Sequence, residues 1–313
     1  MQIPEALVEL LRREATIPAP MFALLADRVR VMCGAGVDAI LLYGSCLRAE
    51  DAKTGVVDLF VIVDDYRRAP GGTVRQALNA LLPPNVYFLE IAGDPDTLRC
   101  KYAVISMQDF EKGTGDWLQP YLWARFAQPS RLLFARDESI RDRLCRCLAS
   151  AVVAFLRNVA AVMGGETLTA RELWGRGFSL TYAAELRPEA RDRPERLTTA
   201  DNEYFDRVTA AAGTALADLA VPAGAGRLRF TAAGLDRQKG LWRWRLRRWQ
   251  GPLLSVLRWI KAAFTFTGGV DYAAWKIERH TGVRIEITER LRRHPLIYGW
   301  PVLWRLWRSG ALR

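Results

Sequence analysis

Leu41-Leu42-Tyr43-Gly44-Ser45 and, after a polar loop, Val57-Asp58-Leu59-Phe60-Val61-Ile62-Val63-Asp64-Asp65 form the stretch whose reading decides the fold. Val37 to Tyr43 is a short apolar run that stops at Gly-Ser, and Val56 to Val63 is a second one rich in β-branched residues, so both read as strands. A glycine at the end of the first strand has no Cβ to keep a ligand away from the backbone. The Ser45 hydroxyl and nearby N–H groups can bond phosphate oxygens there. A carboxylate opening the second strand, Asp58, can then hold Mg²⁺ against those oxygens.

This is the working arrangement of nucleotidyltransferase folds, although Gly-Ser with an Asp thirteen residues later also describes a plain strand-end turn before a charged strand edge. Such folds usually carry two carboxylates at i and i+2 on one strand face, and here position i+2 is Phe60. Asp64 shares that face by parity, but at about 3.3 Å per residue it lies roughly 20 Å further along. A second metal ligand would have to come from a neighbouring strand, and Glu90 is the candidate.

Outward from this stretch, Asn85 to Ala92 and Lys101 to Ser106 complete four expected strands, with a helix over Thr73 to Leu82. Residues 3 to 33 read as two helices joined through Pro18 and Pro20. The whole predicts an α+β chain with a mixed sheet and helices on one side of it. From about Ser139 the pattern is mainly helical: 139 to 163, 169 to 185 and 201 to 219. Arg187 to Arg196 reads as a charged loop, and Val221 to Gly226 as a linker. Three regions follow: a catalytic domain over 1–138, a mainly helical domain over 139–236, and a basic Trp/Arg-rich region over 237–313.

The chain of 313 residues carries 45 Lys and Arg against 34 Asp and Glu, a net charge of +11, which favours phosphate-rich partners. Its five scattered cysteines read as reduced thiols rather than a zinc site. No apolar stretch reaches the roughly 20 residues that a membrane span needs. Eight of the eleven tryptophans lie beyond Gly240. Within 241–261 stand six basic residues, no acidic one and four tryptophans. Apolar positions 242, 246, 249, 253, 257, 260 and 264 keep helical spacing, with Gly251-Pro252 expected to divide the run into two helices. Trp300, Trp304 and Trp307 beside Arg305 and Arg308 repeat the composition. Trp with Arg suits the headgroup zone of an anionic membrane surface. The alternatives are helices packed on the core with a solvated basic face, or base stacking on nucleic acid, for which no RNA-binding motif is present.

Several stretches in one order resemble the mitochondrial-type phosphatidate cytidylyltransferases (CDP-diacylglycerol synthases of the translocator assembly and maintenance family). They are Tyr43-Gly44-Ser45, the run from Asp58 to Asp65, Val86-Tyr87-Phe88, Lys101-Tyr102-Ala103-Val104-Ile105-Ser106, Asp116-Trp117, and Tyr121 through Arg125 to Pro129. The likeness is firm over about 40 to 135. The family has an aromatic where Phe60 stands, but glycine where this chain has Cys46 and Ala124.

The resemblance implies a peripheral enzyme of phospholipid biosynthesis that joins CTP to phosphatidic acid, giving CDP-diacylglycerol and pyrophosphate. Gly44 and Ser45 would cradle the triphosphate, Asp58 would bind Mg²⁺, Lys101 would contact a phosphate, and Arg125 would clamp pyrophosphate or the lipid phosphate. The nucleophile is a phosphate monoester with a second pKa near 6, so it needs no general base. The two histidines, His280 and His294, are therefore expected on the surface or at helix ends. Another acceptor on the same fold, such as a different lipid phosphate or an RNA end, and an inactive membrane-binding scaffold are the competing readings. The Arg-rich chain without a presequence points to a bacterial protein on the cytoplasmic face of the inner membrane.

Overall fold

The computed structural model describes residues 2–16, 22–47, 56–91, 97–185 and 193–265, with 269, 270, 272, 274, 278, 287–293 and 298 beyond. His280, His294 and the tryptophans at 300, 304 and 307 lie outside the described residues.

The fold is mixed α and β. Helices α1 (Glu5–Ala15) and α2 (Ala23–Cys33) lead into β1 (Val37–Tyr43) and β2 (Val56–Val63). Helix α3 (Gly72–Leu81), β3 (Asn85–Ile91) and β4 (Leu98–Ser106) follow. Then come α4 (Met107–Gly115), the single turn α5 (Trp123–Phe126) and β5 (Ser130–Ala135). The sheet order is β3-β4-β2-β1-β5. Only β2 and β4 run parallel; the other pairs are antiparallel. The fifth strand was not among the four expected, because Leu132-Leu133-Phe134 is too short an apolar run to display alternation.

Helices cover both faces of the sheet, not one. Leu41, Phe60, Ile62, Ala103 and Ile105 pack with α1, α4, α5 and α6 (Glu138–Ala160). Ile40, Leu42, Leu59, Val61 and Val104 pack with Leu25 and Val29 of α2. The cause is legible in β1 and β2: both parities are apolar, as in strands buried on two sides.

Helix α6 starts where Asp137 accepts a hydrogen bond from the Ile140 N–H. It runs against α7 (Ala170–Ala183), whose start carries a reciprocal Thr169/Glu172 cap. Helices α8 (Arg193–Ala200) and α9 (Asn202–Ala211) pack on α7. One continuous core runs from Leu7 through Phe155, Trp174 and Phe205 to Trp244. The boundary expected at 138/139 falls at the start of α6. The supposed linker is a hairpin: β7 (Ala220–Pro222) and β8 (Arg227–Phe230), with β6 (Thr167–Thr169), form a small antiparallel sheet. Gly224 and Gly226, at φ +79° and +68°, make its turn, and turn and linker share a composition.

Helix α10 (Gly234–Thr265) runs unbroken through Gly251-Pro252, where two helices were expected. A Cβ on Gly251 would stand 1.7 Å from the Ala184 carbonyl oxygen, so α10 rests on the end of α7 at that point. Contacts on both sides of Pro252, from Arg247 and from Lys261, offset the lost backbone donor. Gly251→Ala should therefore push α10 off α7, lowering stability by about 1–3 kcal/mol in urea unfolding and speeding proteolysis within 234–265. An unchanged midpoint would show that the contact is dispensable.

Candidate functional site

Strand register assembles the site. Tyr43 stands opposite Asp58, Asp58 opposite Lys101, and Lys101 opposite Phe88, in one row across four strands. The row lies one step beyond the core. Its inner neighbour Phe60 is fully buried, with its ring against Tyr43, Phe110 and Phe126 at 5.8, 6.1 and 5.0 Å between centroids.

Lys101 Nζ lies 2.9 Å from Asp58 Oδ1, with both side chains half-buried. That oxygen is shielded from solvent yet accepts no well-aligned hydrogen bond, so the contact is Coulombic. Burial opposes the lysine's charge, but Asp58 and then Tyr43 outweigh it and hold Lys101 above its ordinary value. Gly44 backs the carboxylate: its φ is +88°, and a Cβ there would lie 3.2 Å from Asp58 Oδ2. Ser45 is exposed in the 3-10 turn Ser45–Leu47, while Cys46 points inward with Sγ 3.4 Å from the Val56 carbonyl.

Arg125, on α5, reaches the same place. Its guanidinium carbon is 5.4 Å from the Tyr43 ring centroid and 4.5 Å from that of Tyr121. Burial opposes its charge, but Tyr121, Tyr43 and Glu185 hold it above the ordinary arginine value. A second guanidinium, Arg258 from α10, stands 4.2 Å from the Tyr121 centroid and donates to Gln119 Oε1 at 3.1 Å. Burial would raise the Tyr121 phenol, but Arg125 and Arg258 bring it below the ordinary tyrosine value. Tyr272 closes the far side, 6.0 Å from Lys101 Nζ and 5.4 Å from the Phe88 ring.

The structure thus brings Gly44, Asp58, Lys101 and Arg125 together. Glu90 is not brought to Asp58. It lies two strands away, about 10 Å across the sheet, in an ion pair with Arg99 at 2.8 Å. Asp64 sits at the other end of β2, paired with Arg68 at 2.9 Å. Sequence reasoning missed Tyr43 and Tyr121 as walls of the site, although both stand in the stretches that carry the resemblance. It also missed Arg258 and Tyr272, which come from the chain's last third and leave no local signal.

Asp58 is the one carboxylate in the row, and the described residues contain no group of three or more His, Cys, Asp or Glu placed to hold a metal. Mg²⁺ is commonly held by one or two carboxylates plus substrate phosphates. The residues present fit a metal that arrives on a triphosphate, not a cage made by the protein alone. A separate cavity of about 1100 Å³ between the end of α6 and the start of α10 shares no residue with the row.

The inward face of α10 sets two buried cations beside Trp244, and the outward face mixes large apolar and basic side chains. Trp244 Nε1 donates to the Asn158 carbonyl at 3.0 Å. Arg247, 3% exposed, donates to the Leu118 carbonyl at 2.5 Å and to Asn158 Oδ1 at 2.6 Å. Lys261 Nζ donates to the Leu82 and Pro84 carbonyls at 2.5 and 2.7 Å. Outward stand Trp242 at 61% and Trp249 at 71% exposure, with Leu253, Val256, Leu257, Trp259 and Ile260 also exposed. Arg243, Arg245 and Arg248 are exposed among them. The helical spacing read from the sequence is present, but its apolar stripe faces away from the core.

No protein-family model matches this sequence, and no curated protein matches it.

Burial and then Arg258 push the Lys261 amine down to about 7. Between about pH 7 and the ordinary lysine value near 10.4 the folded state then binds fewer protons than the unfolded state, so stability rises with pH. Buried thiols and tyrosines act in the opposite sense, but only from about pH 8.5 upward. Urea unfolding at about pH 7 and about pH 8.5 should show a gain on the order of 1 kcal/mol in the wild type and a flatter profile in Lys261→Met. Equal slopes would mean that Lys261 stays charged throughout.

Proposed function

We propose that this chain is a phosphatidate cytidylyltransferase of nucleotidyltransferase-like fold, acting on lipid at a membrane surface. The observation that carries the reading is the row Tyr43–Asp58–Lys101, with Gly44 in its left-handed conformation against the Asp58 carboxylate. A carboxylate near the start of β2 and an ammonium on the parallel strand beside it, next to a glycine turn, suit a triphosphate. The choice of CTP and of phosphatidic acid rests on the family resemblance.

In the reaction an oxygen of the lipid's phosphate monoester forms a bond to the α-phosphorus of CTP, and the bond to pyrophosphate breaks. The nucleophile is already largely ionised at neutral pH, since its second pKa is about 6. No side chain has to take a proton, and the protein's part is placement and charge neutralisation. Gly44 and Ser45 let the triphosphate approach the backbone. Asp58 would hold Mg²⁺, which neutralises phosphate charge when bound. Lys101 turns from Asp58 to a phosphate oxygen, and Arg125 is stacked and aimed to take another. Phe60 leaves the row with one carboxylate, so a bound metal would depend on the nucleotide and water for its remaining ligands.

None of the described helices is long and apolar enough to cross a membrane. The outward face of α10 instead suits peripheral contact: exposed Trp, Leu, Val and Ile for the acyl boundary, with Arg243, Arg245 and Arg248 for anionic headgroups.

Two experiments test this. With labelled CTP, phosphatidic acid in mixed micelles and Mg²⁺, the wild type should yield lipid-soluble label, and Asp58→Asn should lower the rate by at least about 100-fold. No product from folded wild type across metals and nucleotides would overturn the reading. In vesicle flotation, Trp249→Ala with Leu253→Ala and Leu257→Ala should weaken binding to anionic vesicles at least about tenfold, and salt should weaken wild-type binding too. Unchanged binding would remove α10 from the membrane contact.

A further inference from the structure

We infer that Arg258 and Arg125, gathered on the Tyr121 ring, form a subsite for a phosphate monoester carried by a membrane lipid, with α10 supplying Arg258 on its inner side and bilayer contact on its outer side. The inference rests on the transferase reading above and assigns the acceptor's place within that site.

Charge comes first. The two guanidiniums stand 4.5 and 4.2 Å from one ring centroid, close enough to oppose each other's charge. Glu185 is the carboxylate that acts on both, while Asp58 is engaged by Lys101. Among the described residues, two cations against one carboxylate leave a surplus of positive charge in a half-buried place, which is costly unless an anion completes it. A phosphate monoester carries about −1.5 to −2 at neutral pH and offers three acceptor oxygens, whereas a diester carries about −1. The planar forks of two arginines match such a group.

One donor of the pair is also unused. Arg258 gives Nη1 to Gln119, but its Nε is buried and has no hydrogen-bond partner. Buried donors in folded proteins are normally satisfied, so an orphan beside a cationic pair marks a place for an acceptor. Arg125 lies over Tyr43 as well as Tyr121, and Tyr43 is the cross-strand neighbour of Asp58. A phosphate held there stands next to the nucleotide's expected position without displacing Lys101 from it.

The height of the subsite fits a lipid. Leu257 and Ile260 are exposed on the outer face of α10, while Arg258 points inward between them in sequence. A helix with its side chains is about 10–12 Å across, and an interfacial helix sinks its apolar face about 5–10 Å below the headgroup boundary. With α10 so placed, its inner face stands at the level of the headgroups. A phosphatidate could present its phosphate to Arg258 with its acyl chains still in the bilayer.

Vesicle flotation without nucleotide tests this, comparing phosphatidate with phosphatidylserine at mole fractions that match surface charge. Wild type should bind phosphatidate about tenfold more tightly, the size of one charge-assisted contact. Arg258→Gln should bind both at the phosphatidylserine level, and Arg258→Lys, which keeps the charge and loses the fork, should recover only part of the preference. Glycerol 3-phosphate is the soluble arm and should compete weakly. Should it bind as tightly as the vesicle, the ligand is a free phosphate and the lipid assignment falls. Retained preference in folded Arg258→Gln would overturn the subsite; if that variant unfolds, full preference in Arg258→Lys does the same. Phosphatidate preference without CMP transfer would leave the subsite standing and remove the cytidylyltransferase reading. Transfer with an unchanged phosphatidate KM in Arg258→Gln would do the reverse.

Discussion

Lys101 and Asp58 meet at 2.9 Å because β2 and β4 run parallel and bring these two residues opposite each other. Neither side chain has another way to reach this spot. A slip of one residue in either strand would turn its member of the pair to the face covered by α2, where an unpaired charge would lie among Leu25, Val29 and Leu59. The rest of the site is arranged around this pair. β1 brings Tyr43 and Gly44 to the carboxylate from one side, and β3 brings Phe88 to the ammonium from the other. The parallel pairing itself requires the crossover through α3 and β3, which leaves β3 at the sheet edge and Glu90 beyond the pair.

The single carboxylate follows from the same geometry. Position 60 is one row deeper than Asp58, among Tyr43, Phe110 and Phe126 with no solvent access. An acid there would be desolvated among aromatic rings, whereas a phenyl ring fills the space and fixes Tyr43 edge-on. Tyr43 in turn carries Arg125. The aromatic at position 60 therefore also positions a cation, and Asp58 is left as the one carboxylate in the row.

What the sequence disclosed was local, and what it concealed was relational. β1 and β2 could be read from their apolar runs, and the Gly-Ser turn from its residues, because each signal fits within ten residues. The double covering of the sheet was also visible in both parities of β1 and β2, yet strand counting alone pointed to helices on one side. β5 and the β7–β8 hairpin escaped because short edge strands and tight turns have the composition of loops. Asp58 and Lys101 could be singled out, but their pairing required the register. Glu90 shared their face on paper and is drawn off by Arg99, which no one-dimensional pattern displays. Arg258 was hidden most deeply: in a run of arginines between tryptophans, nothing marks the one that turns inward.

That turn inward is the least expected property of α10. Rotated by half a turn, the helix would bury Trp249, Leu253, Leu257 and Ile260, as amphipathic helices do. It would then lose the Leu118, Leu82 and Pro84 carbonyls that Arg247 and Lys261 hold, and the fit of Gly251 on Ala184. Those carbonyls belong to loops and a helix end, and the hydrogen bonds to them hold both side chains in place although burial disfavours their charge. Arg247 and Lys261 are ordered inside beside Trp244, while Trp242, Trp249 and Trp259 are left outside. Burying a large apolar side chain is worth about 1.5–3 kcal/mol, so the outer face keeps on the order of 10 kcal/mol for whatever covers it. A chain in water does not realise that energy, whereas the peripheral membrane contact proposed above would realise much of it.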